Sequence, residues 1–459
     1  MKIFNTMTRS LEALVPLDGK HVRMYTCGPT VYNAAHIGNF RTYVFEDLLR
    51  RQIKRSGYGI TQVMNLTDVD DKTIRGALAA GVSLDAYTEP YKQMFFEDLD
   101  KLGIERAEHY PAATDHIDEV IALIERLFEK GYAYQSEDGS VYFSIAKFAD
   151  YGRLGKIDLA GMRAGARVAH DEYEKENVAD FALWKAWDEQ DGSVRWDSPW
   201  GAGRPGWHIE CSAMSMRYLG DSFDIHTGGV DNIFPHHDDE IAQSEGATGK
   251  PFVRYWMHSA HLIVDGKKMS KSAGNFYTLR EILEKGYSGR EVRYVLLSAH
   301  YRQQLNFTFE AVAAAKTALG RIDAFTTRLV DQGGEGGALP AWAVDAGASF
   351  DAAMDADLNL PEALAAVFAL VHAGNKALDQ GESGFGQQVL AMLADMDRVL
   401  GVLAKPKASI PDDVQALLTE RAVARATKDW PRADQVRDAL AQMGWVVKDT
   451  PEGQKVTQR

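Results

Sequence analysis

The chain has very few cysteines and no long apolar run. Cys27 and Cys211 are the only two thiols among 459 residues, and no stretch approaches the roughly 18 apolar residues that a membrane span requires. No basic, apolar and small-residue progression opens the sequence, as it would in a secretory leader. We therefore expect a cytoplasmic protein without a membrane span, and a reducing compartment disfavours a Cys27–Cys211 disulfide.

The net charge is negative and unevenly distributed. A formal charge of -14 at pH 7 disfavours a protein that coats nucleic acid nonspecifically, because such proteins gain affinity by neutralising phosphates. Residues 401–459, however, carry ten Lys or Arg against eight Asp or Glu, so the basic excess lies at the end of the chain. The length predicts two to four domains.

The apolar pattern of the first 70 residues predicts a strand, a helix and a second strand. Residues 22–26 and 60–64 read as buried strands, and the apolar residues between 40 and 49 recur at helical spacing. This βαβ order predicts a parallel sheet. The sheet is expected to resume near residues 222–226 and 254–258, after an insertion, and long amphipathic helices follow beyond residue 290.

His36-Ile-Gly-Asn39 opens the predicted helix after the first strand. The start of a helix presents unpaired amide donors and the positive end of the helix dipole, so phosphate oxygens bind there. Gly38 permits close approach of the backbone, and His36 could donate to a phosphate as its charge grows in a transition state. A capping or packing histidine is the alternative interpretation.

Lys268-Met-Ser-Lys-Ser272 places two lysines three residues apart, near Gly266 and Gly274. The pattern suits a mobile loop that closes on a polyphosphate and stabilises the departing pyrophosphate. A solvated basic loop is the alternative. A P-loop is not supported, because a proline follows Gly249-Lys250 where that motif needs serine or threonine.

The two cysteines, together with an imidazole and a carboxylate, are candidate metal ligands. His236 and Glu240 are four residues apart and share one face if a helix begins at Pro235. Two thiolates, one imidazole and one carboxylate fit tetrahedral zinc. On the residues alone, His237 could replace His236 as the ligand. The alternative interpretation of each cysteine is a buried core residue that binds no metal.

These motifs occur within longer strings that resemble bacterial cysteinyl-tRNA synthetases, a family of class I aminoacyl-tRNA synthetases, over almost the whole chain. The resemblance rests on ordered strings from both halves of the predicted sheet. They include Met24-Tyr-Thr-Cys-Gly-Pro-Thr-Val-Tyr32, Asn65-Leu-Thr-Asp-Val-Asp-Asp-Lys72, Trp200-Gly-Ala-Gly-Arg-Pro-Gly-Trp-His-Ile-Glu-Cys-Ser212 and Phe234-Pro-His-His237.

The resemblance implies one zinc ion per chain and an ATP site. It assigns zinc to Cys27, Cys211, His236 and Glu240, and so selects His236 over His237. The family signature HIGH ends here in Asn39, which can donate a hydrogen bond but carries no positive charge; we expect activity to survive. The implied catalytic residues are His36, Asn39, Lys268 and Lys271, and the implied ATP-binding residues are these four with Gly28, Gly38 and Asp231.

The implied reaction activates L-cysteine with ATP and Mg²⁺ and then transfers the cysteinyl group to the terminal adenosine of tRNA(Cys). Zinc would select the substrate as a thiolate. The implied substrate-binding residues are Cys27, Thr67, Trp207 and Asp231. A basic face at the end of the chain would contact tRNA, and monomer is the family's usual state. The candidate tRNA contacts are Arg421, Arg425, Lys428 and Arg432.

The expected fold is a class I synthetase α/β fold, a Rossmann-type parallel sheet with an insertion, followed by an all-α bundle and a small anticodon-binding module. The predicted segments, in order, are the first sheet half at 1–115, the insertion at 116–200, the second sheet half with the zinc site at 201–260, the lysine loop and stem-contact region at 261–310, the bundle at 311–403 and the C-terminal module at 404–459.

Two other functions share part of this pattern. A ligase of mycothiol biosynthesis, which joins cysteine to a glucosaminyl-inositol, resembles the catalytic half but lacks the C-terminal module that residues 421–450 resemble here. A non-catalytic zinc and nucleotide-binding paralogue is the other candidate. The presence of both Lys268 and Lys271 disfavours it.

Overall fold

The chain forms two units, Met1–Leu403 and Ala404–Arg459. In the described part of the chain, no helix is long and apolar enough to cross a membrane. The computed structural model describes residues 1–157, 180–270, 274–332, 337–404, 411–450 and 453–458.

The first unit opens with a hairpin and then the predicted βαβ unit. Phe40, Val44 and Leu48 lie on one face of the first helix and are buried against the sheet, which is why the helical periodicity was readable in the sequence. The elements are β1 (Lys2–Asn5), β2 (Ser10–Ala13), β3 (His21–Thr26), α1 (Ile37–Arg55), β4 (Gly59–Met64), α2 (Asp71–Ala80) and α3 (Leu84–Lys101).

An insertion follows, built on a four-stranded antiparallel sheet in the order β5-β6-β7-β8. Its fourth strand lies beyond the predicted boundary at residue 200, because that strand completes the insertion's own sheet and not the parallel one. The elements are α4 (Ile117–Glu129), β5 (Ala133–Gln135), β6 (Val141–Phe143), β7 (Phe181–Ala186) and β8 (Gly203–Pro205).

The chain then returns to the central sheet, whose strands are all parallel in the order β10-β9-β3-β4. Helix α1 covers one face, and two later helices cover the other through Met214 and Ile241. This confirms the predicted parallel α/β sheet with an insertion. The elements are α5 (Trp207–Leu219), β9 (Phe223–Gly229), α6 (Asp238–Thr248) and β10 (Val253–Ser259).

Beyond the sheet, a small three-stranded sheet precedes a bundle of four helices. The segment Lys267–Lys268 pairs with the strand before it, so the first lysine of the lysine-rich string has a fixed backbone position. The elements are β11 (Leu262–Val264), β12 (Lys267–Lys268), α7 (Leu279–Glu284), α8 (Gly289–Leu297), β13 (Leu305–Phe307), α9 (Phe309–Gln332), α10 (Ala341–Asp355), α11 (Leu360–Asp379) and α12 (Gly386–Leu400).

A buried arginine ties α1 to this bundle. Arg293 is 0% exposed, and it donates to Asp47 on α1 at 2.5 Å and to the carbonyl of Leu400 at 2.7 Å. A buried charge is tolerated only when it is paired and hydrogen-bonded in this way. The contact fixes the axis of α1, and with it the position of the helix start that carries His36.

The second unit is a helix pair packed on a two-stranded sheet, around Val414, Leu418, Val436 and Leu440. The unit's elements are α13 (Asp412–Ala426), α14 (Trp430–Gln442), β14 (Trp445–Thr450) and β15 (Gly453–Gln458).

The prediction that Arg421 belongs to an exposed basic face of this unit is wrong. Arg421 is 3% exposed, and it pairs with Asp449 at 2.9 Å and donates to Gln454, so it lies inside the unit and holds the sheet to α13. Lys428 lies beyond the end of α13 at a φ of 59° and is exposed, so its contact with tRNA stays a prediction. Arg425 and Arg432 remain on the surface, paired with Asp449 and Glu420.

Candidate functional site

A cavity of about 560 Å³ opens at the carboxyl ends of β3, β9 and β10. Loops that follow parallel strands meet at this edge of a sheet, and ligands of open α/β sheets bind there. Of the predicted ATP-site residues, the cavity is lined by Gly28, His36, Gly38, Asn39, Asp231 and Lys268. Lys271 lies outside the described residues.

His36 and Asn39 form the cap of α1. The backbone N–H of Asn39 donates to His36 Nδ1 at 3.2 Å, and the backbone N–H of His36 donates to Asn39 Oδ1 at 3.1 Å. Because Nδ1 accepts, the ring proton of a neutral His36 is on Nε2. The capping and phosphate-binding interpretations are therefore compatible, since the cap orients the ring that lines the cavity.

Two glycines allow the backbone to approach closely at this site. A Cβ on Gly28 would lie 1.8 Å from the carbonyl oxygen of Asn65, and one on Gly38 would lie 2.9 Å from His36 Nδ1. Any side chain at either position would therefore displace the walls of the cavity.

Next to the cavity, Cys27, His236, His237 and Glu240 each offer one ligand atom, and these atoms all lie within 4.8 Å of one another. Cys27 directly follows β3, whereas both histidines precede α6 and Glu240 lies in its first turn. The backbone is helical after Phe234, so His236 and Glu240 share a face as the four-residue spacing requires. Their Nε2 and Oε1 atoms are 3.1 Å apart.

Cys211, on α5, is not among the four residues whose ligand atoms lie within 4.8 Å of one another. Its thiol nevertheless contacts the Cys27 thiol through a hydrogen bond and lies against His236. The hydrogen bond from Cys27, with the nearby His236 ring, lowers the pKa of Cys211 to about 6 despite its burial. The same contact and burial raise the pKa of Cys27 well above its usual value, so Cys211 loses its proton first.

The chemistry of this cluster fits a divalent cation. Glu240 Oε1 is buried and accepts no well-formed hydrogen bond, and ligands about 2.0 Å from a tetrahedral zinc would be about 3.3 Å apart, close to the 3.1 Å between His236 and Glu240. Burial acts to lower the pKa of His236, but Glu240 and Cys211 raise it well above its usual value. The negative charges of Glu240 and Cys211 thus favour a cation at the centre of this cluster.

A second layer of buried histidines surrounds the cluster. His226 Nε2 lies 2.9 Å from Glu240 Oε2, and His208 Nδ1 lies 2.8 Å from His236 Nδ1. His237 Nδ1 meets His258 Nε2 at 2.8 Å, and burial lowers the pKa of His258 to about 3. These contacts fix which ring nitrogen of each ligand faces the cluster, as in metal sites generally.

The remaining predicted substrate residues take different positions. Asp231 lines the large cavity and is exposed. The Trp207 ring stacks on His236 with centroids 4.5 Å apart, so it lies beside the metal cluster. Thr67 is buried and accepts from Asn65 Nδ2 at 3.0 Å; it does not line the large cavity.

Sequence reasoning missed several residues of the site. Thr42, Ser259, His261 and Gln304 line the cavity, and the hydroxyls of Thr42 and Ser259 are 2.7 Å apart. Thr42 follows Asn39 by three positions on α1, so the two share one face of the helix and Thr42 could have been assigned by helical geometry. Gln304 lies outside every motif, so no signal in the sequence marks it.

Glu46, in the middle of α1, is fully buried and accepts from Thr227 Oγ1 at 2.7 Å. Burial raises its pKa to about 8, against 4.5 ordinarily. The neutral acid is therefore the favoured folded form, so its contribution to stability is full below the ordinary pKa and declines as the pH rises towards 8. We expect the melting temperature of the wild type to fall relative to that of Glu46→Gln between about pH 5 and 8.

Thermal unfolding monitored by fluorescence across this pH range measures the effect. Glu125→Gln, which changes an exposed glutamate on α4, is the matched control and should leave the pH dependence unchanged. Parallel curves for the wild type and Glu46→Gln would contradict the raised pKa.

Comparisons with known proteins agree with this geometry. The chain matches three family models, described as the class I (C) catalytic domain of tRNA synthetases at residues 13–317, a DALR domain at 349–404 and a cysteinyl-tRNA ligase anticodon binding domain at 407–456. It is 52% identical to the cysteine–tRNA ligase of Protochlamydia amoebophila (strain UWE25) over 465 residues, which cover 99% of this chain and 97% of that protein. It is 51% identical to that of Chlamydia pneumoniae over 463 residues, with the same two coverages.

Solved structures with the same fold are more distant in sequence. Methionyl-tRNA synthetase of Mycobacterium tuberculosis, in complex with methionyl-adenylate, superposes with a TM-score of 0.58 at 17% identity, over 92% of this chain and 94% of that one. A putative arginyl-tRNA synthetase from Campylobacter jejuni gives a TM-score of 0.55 at 13% identity, over 84% and 94%. At these identities the match shows the fold.

Proposed function

The chain belongs to the cysteine–tRNA ligase family of class I aminoacyl-tRNA synthetases, and on that premise we propose that its Cys–His–Glu cluster holds a zinc ion that selects the substrate thiol. The enzyme is a cysteine–tRNA ligase (EC 6.1.1.16). The observation that carries the zinc proposal is the convergence of Cys27, His236 and Glu240, with Cys211 against them, in a buried position beside the large cavity.

We assign the ligands to Cys27, Cys211, His236 and Glu240. His237 also lies within reach, 3.5 Å from Cys27 Sγ, but its Nε2 is 4.0 Å from Glu240 Oε1. His236 is closer to the carboxylate and contacts both the Cys211 thiol and the Trp207 ring. His237 then belongs to the layer that orients the ligands.

The purpose of such a site is discrimination between cysteine and serine. A bound zinc ion would accept the substrate sulfur as a thiolate, which a serine hydroxyl cannot match at neutral pH. An apolar pocket separates such similar side chains poorly, and we expect the soft metal contact to supply the roughly 10⁴-fold discrimination that this choice requires. The stacked Trp207 ring closes one side of the position that the substrate side chain would occupy.

We place ATP, with Mg²⁺, in the cavity of about 560 Å³. His36 and the start of α1 face the phosphates, Asn39 orients His36, and Lys268 supplies positive charge to the departing pyrophosphate. The substrate carboxylate is already ionised, so its attack on the α-phosphorus needs positioning and charge stabilisation but no general base. Asp231, at the cavity wall, is assigned to ATP and substrate binding.

tRNA(Cys), ATP and L-cysteine are the partners of this reaction. We assign anticodon recognition to the second unit, where Lys428 and Arg432 are exposed and Arg425 is half-buried, with its guanidinium 5.7 Å from the Trp430 ring centroid. The presence of this module supports tRNA over a sugar acceptor. The monomeric state, the cytoplasmic location and the predicted segment boundaries stay predictions.

Three measurements on one purified protein test this function. We expect one zinc ion per chain by elemental analysis, cysteine-dependent pyrophosphate exchange with ATP, and charging of tRNA(Cys) with cysteine but not serine. Transfer of cysteine to glucosaminyl-inositol instead of tRNA would favour the mycothiol ligase. Absence of both activities, with zinc and nucleotide bound, would favour the non-catalytic paralogue.

A further inference from the structure

The corner between helices α10 and α11 of the bundle has a left-handed backbone. Asp357 and Leu358 follow each other there with φ angles of 60° and 56°, which non-glycine residues seldom adopt, least of all those with bulky side chains. Two such residues persist only where their surroundings hold them, and they occur preferentially at functional positions. The Leu358 side chain is buried in the bundle core, so the functional question concerns the contacts of Asp357.

The Asp357 carboxylate is buried, and both of its oxygens accept hydrogen bonds. Oδ1 accepts from the backbone N–H of Phe4 at 2.8 Å and from the Tyr301 hydroxyl at 2.7 Å, and Oδ2 accepts from Nε of Arg302 at 2.7 Å. Burial and the nearby carboxylate raise the pKa of Tyr301 well above its usual value, so the hydroxyl keeps the proton that it donates. One carboxylate therefore ties the bundle corner to strand β1 and to the turn 300–304, which lies between α8 and β13.

This turn forms part of the wall of the ATP cavity. The carbonyl of Tyr301 accepts from the backbone N–H of Ala260 at 2.8 Å, and the carbonyl of His261 accepts from the backbone N–H of Leu305 at 3.2 Å. Ala260, His261 and Gln304 line the cavity, whereas Tyr301 does not. Two backbone hydrogen bonds thus join the turn to the segment after β10, and the two together make one wall.

Helix α1 holds the same turn through separate contacts. Arg41 is buried and donates to the carbonyls of Ala299 at 3.1 Å and His300 at 2.8 Å. The Phe45 ring stacks on the Tyr301 ring with centroids 4.3 Å apart. These contacts remain when the carboxylate at the bundle corner is changed, so we expect the turn to shift and not to unfold.

We propose that Asp357 is a positioning residue for ATP binding, acting through the Tyr301 hydroxyl on the turn 300–304. Held in this way, the turn brings Gln304 to the cavity wall and supports the backbone of His261. The proposal rests on the proposed function, which places ATP in this cavity. Asp357 does not line the cavity itself, so its effect on ATP passes through the turn. The helical bundle thereby contributes to nucleotide binding.

A displaced wall affects the binding of ATP more than the chemical step. His36 and Lys268, the groups assigned to the phosphates, lie at the start of α1 and on β12, away from the turn in sequence. The wall therefore supplies contacts that are made equally in the bound state and in the transition state, and their loss raises KM while kcat stays unchanged. Destabilisation of the whole fold would instead lower the active fraction, and so the apparent kcat, without a change in KM.

Asp357→Asn tests this role with little change to the backbone. Asparagine tolerates a positive φ as aspartate does, but it offers one acceptor oxygen in place of two and no charge for Arg302. We expect KM for ATP in pyrophosphate exchange to rise about five- to tenfold, with kcat and KM for cysteine within about twofold of wild type. Asp355→Asn is the matched control, since it changes an exposed aspartate at the end of α10 that accepts from Gln52, and it should alter none of these constants.

Tyr301→Phe tests whether Asp357 acts through this hydroxyl. The phenylalanine ring can keep the stack on Phe45 and loses the bond to Asp357. We expect KM for ATP to rise about threefold or more, and the rise in the double variant to fall well below the product of the two single ones, because residues that act through one contact are not additive. Effects that multiply would overturn the proposal. If Asp357→Asn does not fold, Tyr301→Phe decides alone, and a wild-type KM for ATP would overturn the proposal.

Failure of this inference and failure of the proposed function give different results. If the wild-type protein catalyses pyrophosphate exchange and Asp357→Asn has an unchanged KM for ATP, only the role of Asp357 is wrong. A fall in kcat without a change in KM also overturns that role, because it indicates a contact that serves stability alone. If the wild-type protein catalyses no exchange, the proposed function itself is wrong, and the role of Asp357 falls with it.

Discussion

Replacing Cys211 with serine is expected to remove the metal ion and cysteinyl-adenylate formation together. A serine hydroxyl is a much poorer zinc ligand than a thiolate, and the pKa of Cys211 is already lowered to about 6 by its contacts with Cys27 and His236. We expect kcat/KM for cysteine in pyrophosphate exchange to fall by about 10³-fold or more, which corresponds to roughly 4 kcal/mol of transition-state stabilisation. Elemental analysis of the same preparation measures the zinc.

A matched variant separates loss of the ligand from damage to helix α5. Ser215→Ala removes a buried hydroxyl one turn further along the same helix, where it donates to the carbonyl of Ser212 at 3.1 Å. This change should leave the zinc content and exchange close to wild type. A metal-free Cys211→Ser protein with wild-type exchange would contradict the assigned role of the cluster, because the substrate thiol would then be selected without it.

The parallel sheet was predictable because its strands and helices carry strong periodic patterns. Strand β3 and helix α1 lie close to where the apolar spacing placed them, and the residues that set this spacing, such as Phe40 and Val44, are buried. The start of α1 was predictable for a different reason. The side chains of His36 and Asn39 each accept a hydrogen bond from the backbone N–H of the other residue. Both residues lie within a single turn, so the signal is local in the sequence.

The complete metal cluster could not be assembled from spacing alone. Cys27 and Cys211 come from elements far apart in the chain, and only the order of β3 and β9 in the sheet brings them together. The family resemblance supplied that information. It did not supply the layer formed by His208, His226 and His258, because these contacts depend on ring orientation in a packed interior.

The charged residues of the C-terminal unit show what a sequence pattern within one helix does not predict. The predicted tRNA-contacting basic face included Arg421, yet a strand that follows 24 residues later places Asp449 against it. Periodicity shows which residues share a face, but it does not show which partner covers that face.

The second large effect is expected for Lys268→Ala. The Lys268 side chain lines the ATP cavity, and its backbone is fixed by pairing of β12 with Ile263 and by a hydrogen bond from Asn275 Nδ2 at 3.2 Å. The backbone anchor keeps the exposed Lys268 side chain beside the cavity, where its ammonium would stabilise the developing charge of pyrophosphate. We expect kcat for pyrophosphate exchange to fall by about 10²–10³-fold, or roughly 3–4 kcal/mol, which is typical for the loss of one fixed electrostatic group.

Lys267→Ala provides the matched control for that variant. Lys267 precedes Lys268 on the same short strand, so its side chain projects to the opposite face, and it does not line the ATP cavity. We expect its exchange rate to stay within about twofold of wild type. In Lys268→Ala, the zinc content and the KM for cysteine should remain unchanged, because the metal cluster lies apart from the phosphates. An equal fall in both lysine variants would mean that β12 contributes only general positive charge, and a loss of zinc would mean that the substitution disrupts the site instead of the phosphate contact.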